Sequence, residues 1–239
     1  MRTFFLLVTA LLLMTLAALA MLLVRALTLG GGRRFCAEVI GKWVGRAVLR
    51  VAGIRMVVRQ ERPFPRAQTI YVANHSSTLD LFLLMALALP DTRFFMKRKY
   101  LFFGPLGVMA ALTGTFFTPP QSRPDERARF FQKVEATLRR TGESAFLSPE
   151  GTRVTSGRIG PFNKGTFHLA TNLKAPIVPL FLEIPKAIDP RRGIRALPGT
   201  VHVHVKEPIL TSGWTLEELE KNKESVRERF VTYVEESRA

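Results

Sequence analysis

Apolar and polar positions follow three patterns along the chain. From Phe4 to Val24 no charged residue occurs, and the only polar side chains are Thr9 and Thr15. A helix of this length, rising about 1.5 Å per residue, matches a hydrocarbon core of about 30 Å. Between 39 and 51 the spacing becomes amphipathic. Val39, Ile40, Trp43, Val44, Ala47, Val48 and Val51 recur at helical intervals, Lys42, Arg46 and Arg50 occupy the other face, and Gly53 follows as a stop. From about residue 55 short β-rich runs alternate with helical ones. The expected strands are 56–59, 69–73, 93–96, 115–118, 144–147, 177–183 and 200–206.

The helical stretches between these strands are less uniform. Residues 77–87 are apolar almost throughout, which predicts a buried helix. Ser122 with Asp125 reads as an N-cap pair opening a second helix through Phe130, Phe131, Val134 and Leu138, with Gly142 ending it. Thr215 with Glu218 reads as a capping box opening a third, which runs to about 235. Residues 185–198, with Arg191 and Arg192, read as a surface loop. The alternation predicts an α/β domain over 55–239, with a largely parallel central sheet flanked by helices. Residues 1–54 precede it as N-terminal membrane-anchoring helices.

Composition settles the orientation and removes several function classes. Of 239 residues, 35 are Lys or Arg and 19 Asp or Glu, a net charge of +16. Residues 25–66 hold ten basic and two acidic side chains, half of that excess. A basic block directly after an apolar helix belongs on the cytoplasmic side of the membrane. The helix over 39–51 then suits an anionic bilayer surface. A cleaved leader ending at Ala18-Leu19-Ala20 is the alternative, but the apolar run continues past Ala20 to Val24. No zinc-finger, RNP or KH pattern is present, so nucleic acid is not the expected partner. Cys36 is the only cysteine, which excludes an internal disulfide, a Cys-rich zinc site and a dithiol redox pair. No metal site is expected from His75, His168, His202 and His204, of which the last two alternate along a strand.

Chemistry is expected where strands end and helices begin. His75 follows a buried strand, with Asp80 five residues on in the first turn of the next helix. A carboxylate on one imidazole nitrogen fixes the tautomer and leaves the other nitrogen to take a proton. The plainer alternative is that Ser77-x-x-Asp80 is only a capping box. At a second strand end, Pro149-Glu150-Gly151-Thr152-Arg153 forms a tight turn that sets Glu150 and Arg153 at the same edge, and Lys97 ends another strand. Arginine's planar fork suits a phosphate. No Gly-x-Ser-x-Gly elbow supports a serine lipid hydrolase.

These residues carry a resemblance. Asn74-His75-x4-Asp80, followed by Ser148-Pro-Glu-Gly-Thr-Arg153 and by Pro179 in an apolar strand, resembles the phospholipid/glycerol acyltransferase family over about 35 to 210. The nearest branch is the lysophosphatidic acid acyltransferases (1-acylglycerol-3-phosphate O-acyltransferases). The resemblance implies that His75, oriented by Asp80, deprotonates a lysophospholipid hydroxyl, which attacks acyl-CoA or acyl-carrier protein. These donors are co-substrates, and no cofactor is implied. Backbone N–H groups after His75 would hold the oxyanion. Lys97, Glu150, Gly151, Thr152 and Arg153 would hold the acceptor's head. One block departs from the family pattern: Pro120 stands where an arginine is expected, and Arg123 is the candidate substitute. A lysophosphodiester or lyso-ornithine lipid therefore stays open as acceptor. So does a non-catalytic membrane-binding protein that keeps the fold.

Overall fold

The computed structural model describes residues 1–60, 62–189 and 196–238, so the Arg191-Arg192 loop lies outside the described residues. Seven strands form one sheet: β1 (Ile54–Gln60), β2 (Ile70–Ala73), β3 (Thr92–Lys97), β4 (Phe116–Thr118), β5 (Ser144–Leu147), β6 (Ile177–Glu183) and β7 (Gly199–Val205). Their order is β1-β7-β6-β2-β5-β3-β4. Every neighbouring pair is parallel except β6 with β7. The strands expected from the hydrophobic pattern are the strands observed, β5 and β6 with the expected ends and the others with ends shifted by one or two residues.

Helices cover both faces. Tyr71 and Ala73 face one apolar layer, built with Leu79 and Leu83 of α4 (Leu79–Leu87) and Leu49 of α3 (Lys42–Val51). Ile70 and Val72, one residue out of phase, face the other layer. That layer is closed by α6 (Pro124–Thr141), α7 (Gly165–Leu173) and α8 (Leu219–Glu236). Both faces of the central strands are thus dry, which is why they read as continuous apolar runs.

Three helical expectations change. α6 begins at Pro124, with Arg123 at the N-cap and no side-chain cap, so proline at the first turn sets the start in place of Ser122. α8 begins at Leu219, beyond the expected capping box, and Glu218 is itself the N-cap with no side-chain cap bond. α5 (Gly104–Leu112) and α7 were not foreseen, because both are short and too uniformly apolar or glycine-broken to show a clear period.

α1 (Arg2–Leu27) is long and apolar enough to cross a membrane, and most of it is uncovered. Phe4, Leu11, Leu12, Leu19 and Leu23 are exposed. One side, with Ala17, Ala18 and Met21, is buried against Cys36, Val44, Val48 and Met109. Arg2 donates to the carbonyls of Ala52 and Ala196 at 2.8 Å each, so the first turn of α1 also touches the α/β body. The chain then passes through α2 (Arg33–Phe35) and a π-helical turn (Cys36–Gly41) into α3. α3 is buried on one side only. Val44 and Val48 pack inward, while Trp43 and Val39 remain exposed beside Arg46 and Arg50.

α3 and α4 approach closely at Gly45. A Cβ there would sit 2.6 Å from the Ala86 amide nitrogen and 2.7 Å from the Phe82 carbonyl oxygen. At an open helical site Gly→Ala gains about 1 kcal/mol. Here the clash is with backbone, so Gly45→Ala is expected to cost about 1–3 kcal/mol instead. Denaturant titration checks the sign, and a more stable variant would refute the close approach.

Candidate active site

The strand ends β6, β2, β5 and β3 stand in that order along one edge of the sheet, and the chemistry collects there. Asn74 opens the site. Its side-chain amide donates to the Leu182 carbonyl at 3.1 Å and its Oδ1 accepts the Leu182 N–H at 2.8 Å. This extends the β2–β6 ladder by one side-chain rung. His75 therefore leaves the sheet from a fixed point.

The loop after His75 turns sharply back into α4. Asp80 is almost fully buried, and its Oδ2 lies 2.7 Å from His75 Nδ1. The same oxygen accepts the N–H of Ser76 at 2.9 Å and of Ser77 at 3.0 Å. Ser77 Oγ accepts the Leu79 N–H at 2.9 Å and bonds to buried Asp189. The capping and the dyad readings of Asp80 are therefore one arrangement. The carboxylate that ties down the helix start also meets the imidazole. Nδ1 is engaged, and Nε2 is the nitrogen left for chemistry, on a ring whose side chain is 34% exposed. Three of the N–H groups expected to hold the oxyanion are engaged within the loop itself. The Ser76, Ser77 and Leu79 N–H groups already have acceptors in Asp80 and Ser77.

The second strand end folds as a turn, with the Gly151 N–H on the Ser148 carbonyl at 3.0 Å and Gly151 at φ 67°. A left-handed residue is needed there, and a Cβ would press within 2.8 Å of Asn163 Nδ2. Glu150, at 7% exposure, is turned inward. Its oxygens accept the His75 N–H at 2.6 Å and the Gly160 N–H at 2.7 Å. Burial raises its pKa, and these two backbone donors only partly offset that. Glu150 thus fastens the His75 strand end to the turn, whereas the sequence suggested a ligand for the acceptor's head. Arg153 is exposed and donates to Thr78 Oγ1 at 2.6 Å, which holds it over the start of α4. Thr152 is exposed beside it.

The sequence profile of the Acyltransferase family matches residues 55–183, from β1 through β6, and includes every strand end just described. The chain belongs to the acyltransferase family. Among its relatives, mouse 1-acyl-sn-glycerol-3-phosphate acyltransferase alpha is 33% identical over 187 residues, covering 77% of this chain and 65% of that protein. Human 1-acyl-sn-glycerol-3-phosphate acyltransferase beta is 33% identical over 77% of this chain and 66% of its own length. The Saccharomyces cerevisiae 1-acyl-sn-glycerol-3-phosphate acyltransferase is 30% identical over 77% of this chain and 61% of its own. The match thus spans slightly less than two thirds of these relatives. The crystal structure of the LPA acyltransferase PlsC from Thermotoga maritima has the same fold. The TM-score is 0.68 with 23% identity, over 100% of this chain and 98% of that one.

Two of the cations expected around the acyltransferase site behave differently from each other. Lys97 is exposed at the end of β3, two strands from His75 in the sheet order. Arg123 points along the surface. It is 66% exposed and paired at 3.3 Å with Glu126, which also holds Arg98 at 2.6 Å. The loop after Pro120 thus spends its arginine on the cap of α6. Asn74 and Asp189 are the positions sequence reasoning assigned no role. Asn74 lay inside the recognised motif, but nothing in the spacing signals a rung to β6. Asp189 reaches Ser77 across 112 residues.

Proposed function

We propose that the protein transfers a fatty acyl group from acyl-CoA or acyl-carrier protein to the free hydroxyl of a lysophospholipid, with 1-acylglycerol-3-phosphate as acceptor and phosphatidic acid as product. The observation that carries this reading is the 2.7 Å contact of His75 Nδ1 with the buried Asp80 carboxylate, in a chain whose relatives are named for that reaction. Nε2 removes the hydroxyl proton as the oxygen attacks the thioester carbonyl. The C–S bond then breaks, and the imidazolium returns the proton to the thiolate. Asp80 holds the tautomer and balances the charge on the ring. Glu150 and Asn74 position His75 through its backbone. Arg153 and Lys97 are the cations for the acceptor's phosphate.

The exposed apolar side of α1, with Trp43 on α3, supports attachment to a membrane. The charge of residues 25–66 supports placing the α/β domain on its cytoplasmic side. Contact of α1 with the body near both of its ends favours a helix carried alongside the domain, not one that projects from it.

A panel of lysolipids, offered together with labelled acyl-CoA or acyl-carrier protein and read by mass spectrometry, tests the reaction. Lysophosphatidic acid is expected to win. Pro120, with Arg123 turned to Glu126, is the specific reason to include lysophosphodiesters and lyso-ornithine lipid. If one of those wins by more than about tenfold, the acceptor is wrong and the reaction stands. If no lysolipid gains an acyl chain, the reaction itself is wrong. Within that assay Lys97→Ala and Arg153→Ala are each expected to raise the acceptor KM about ten- to hundredfold, since hydrogen bonds to charged groups contribute about 1.5–3 kcal/mol. The donor KM should move much less.

A further inference from the structure

A cavity of about 420 Å³ opens beside His75, on the side away from Lys97. One wall is the site itself, at Asn74, His75 and Ser76, and the other is formed by the β6 exit, the loop after Arg153 and the last turn of α8. Three cations line it: Arg158, Lys186 and Arg238. Arg238 bonds to the Gly157 carbonyl, which seats the α8 end on the loop. Arg158 and Lys186 are exposed, and neither side chain has an ion-pair partner among the described residues. The cavity's two carboxylates are already in use: Glu150 on backbone N–H groups and Glu183 on His204 Nε2 at 2.7 Å. The unspent charge is therefore positive. None of these cations is Arg153 or Lys97, to which the acceptor's phosphate is assigned, although Arg158 shares the loop after β5 with Arg153.

We infer that this cavity takes the phosphopantetheine arm of the acyl donor, with the arm's phosphate held by Arg158 and Lys186. This rests on the acyl-transfer reading above and adds to it a division of the site. The strand order puts the β6 exit on one flank of His75 and β5 and β3 on the other. The donor's phosphate then lies between the loop after Arg153 and the β6 exit, apart from Arg153 and Lys97, and the two substrates meet at the imidazole, where the acceptor hydroxyl adds to the thioester carbonyl. A flexible arm separates the thioester from the phosphate in both coenzyme A and carrier protein. The sulfur can sit at His75 while the phosphate reaches the cavity's cations. Both cations offer charge-assisted hydrogen bonds to phosphate oxygens.

The test measures binding and turnover separately, on the full-length protein in detergent micelles. Calorimetric titration with coenzyme A and, in parallel, with glycerol 3-phosphate compares the wild type with an Arg158→Ala/Lys186→Ala variant. Coenzyme A affinity is expected to fall about ten- to hundredfold, with glycerol 3-phosphate unchanged. An Arg158→Lys/Lys186→Arg variant, which keeps the charge, should retain most of it. In turnover the donor KM should rise by a similar factor, with acceptor KM and kcat preserved. Comparing acyl-CoA with acyl-carrier protein shows which donor the cavity serves. The inference is overturned if glycerol 3-phosphate loses affinity instead, if neither ligand responds, or if the wild type binds neither coenzyme A nor the carrier protein. Cation-dependent coenzyme A binding without transfer to any lysolipid would defeat the proposed reaction and leave the cavity assignment standing.

Discussion

His75→Ala is expected to lower acyl transfer by about 10²–10⁴-fold or more while leaving the fold and membrane attachment intact. The ring is one-third exposed, and its only side-chain hydrogen-bond partner among the described residues is Asp80. Removing it therefore empties little of the core. The more discriminating variant is Asp80→Asn. An amide can still offer its carbonyl to the Ser76 and Ser77 N–H groups, so the helix start should survive at a cost of about 1 kcal/mol. It can no longer balance an imidazolium. Asp80 Oδ1 is buried and unpartnered among the described residues, so an amide nitrogen placed there would meet no acceptor. A strong loss of kcat with modest loss of stability is the expected pattern. Purified Asp80→Asn protein at full rate would reduce Asp80 to a cap.

The second large effect concerns stability. Glu150→Ala strips the acceptor from the buried Gly160 N–H, at about 1–3 kcal/mol, and from the part-buried His75 N–H beside the cavity, at less. A loss of about 2–4 kcal/mol is a large part of the stability of a typical domain. Glu150→Gln should cost less, since it keeps one acceptor and removes a charge whose burial is itself unfavourable. Thermal or denaturant midpoints of the two variants give the ranking. If Glu150→Ala is as stable as the wild type and instead raises the acceptor KM tenfold, Glu150 belongs to the headgroup after all.

The sequence exposed the sheet well because its signals were local. Short runs rich in β-branched or aromatic residues marked most strands, and a dry environment on both faces explains the unbroken apolarity of the central ones, β2, β5 and β6. Strand order was not legible. The antiparallel β6–β7 pair depends on a chain return through 185–198 that no local pattern encodes. At the site, the spacing of His75 and Asp80 implied their contact because five residues suffice for one tight turn. The inward contacts of Glu150 were not legible, for the opposite reason. Its type and its place in a turn suggest a solvent-facing ligand, and its inward rotation is set by Gly160, in a loop that has no pattern of its own. Arg123 is similar. Its partner Glu126 lies three residues on, in the first turn of a helix whose N-cap is Arg123, one residue past the expected Ser122.

The pairing at the edge of the sheet bears on how the molecule comes into being. β1 is the first strand made, yet it pairs only with β7, with Ile54 opposite Gly199. During synthesis β1 must wait for nearly the whole α/β domain before it has a partner. Contacts this distant in sequence slow folding, and an unpaired strand edge invites association with other chains in the interval. α1, by contrast, is complete long before any part of the sheet. A nascent chain held by that helix at a bilayer would have its first strand waiting at the membrane surface until β7 emerges.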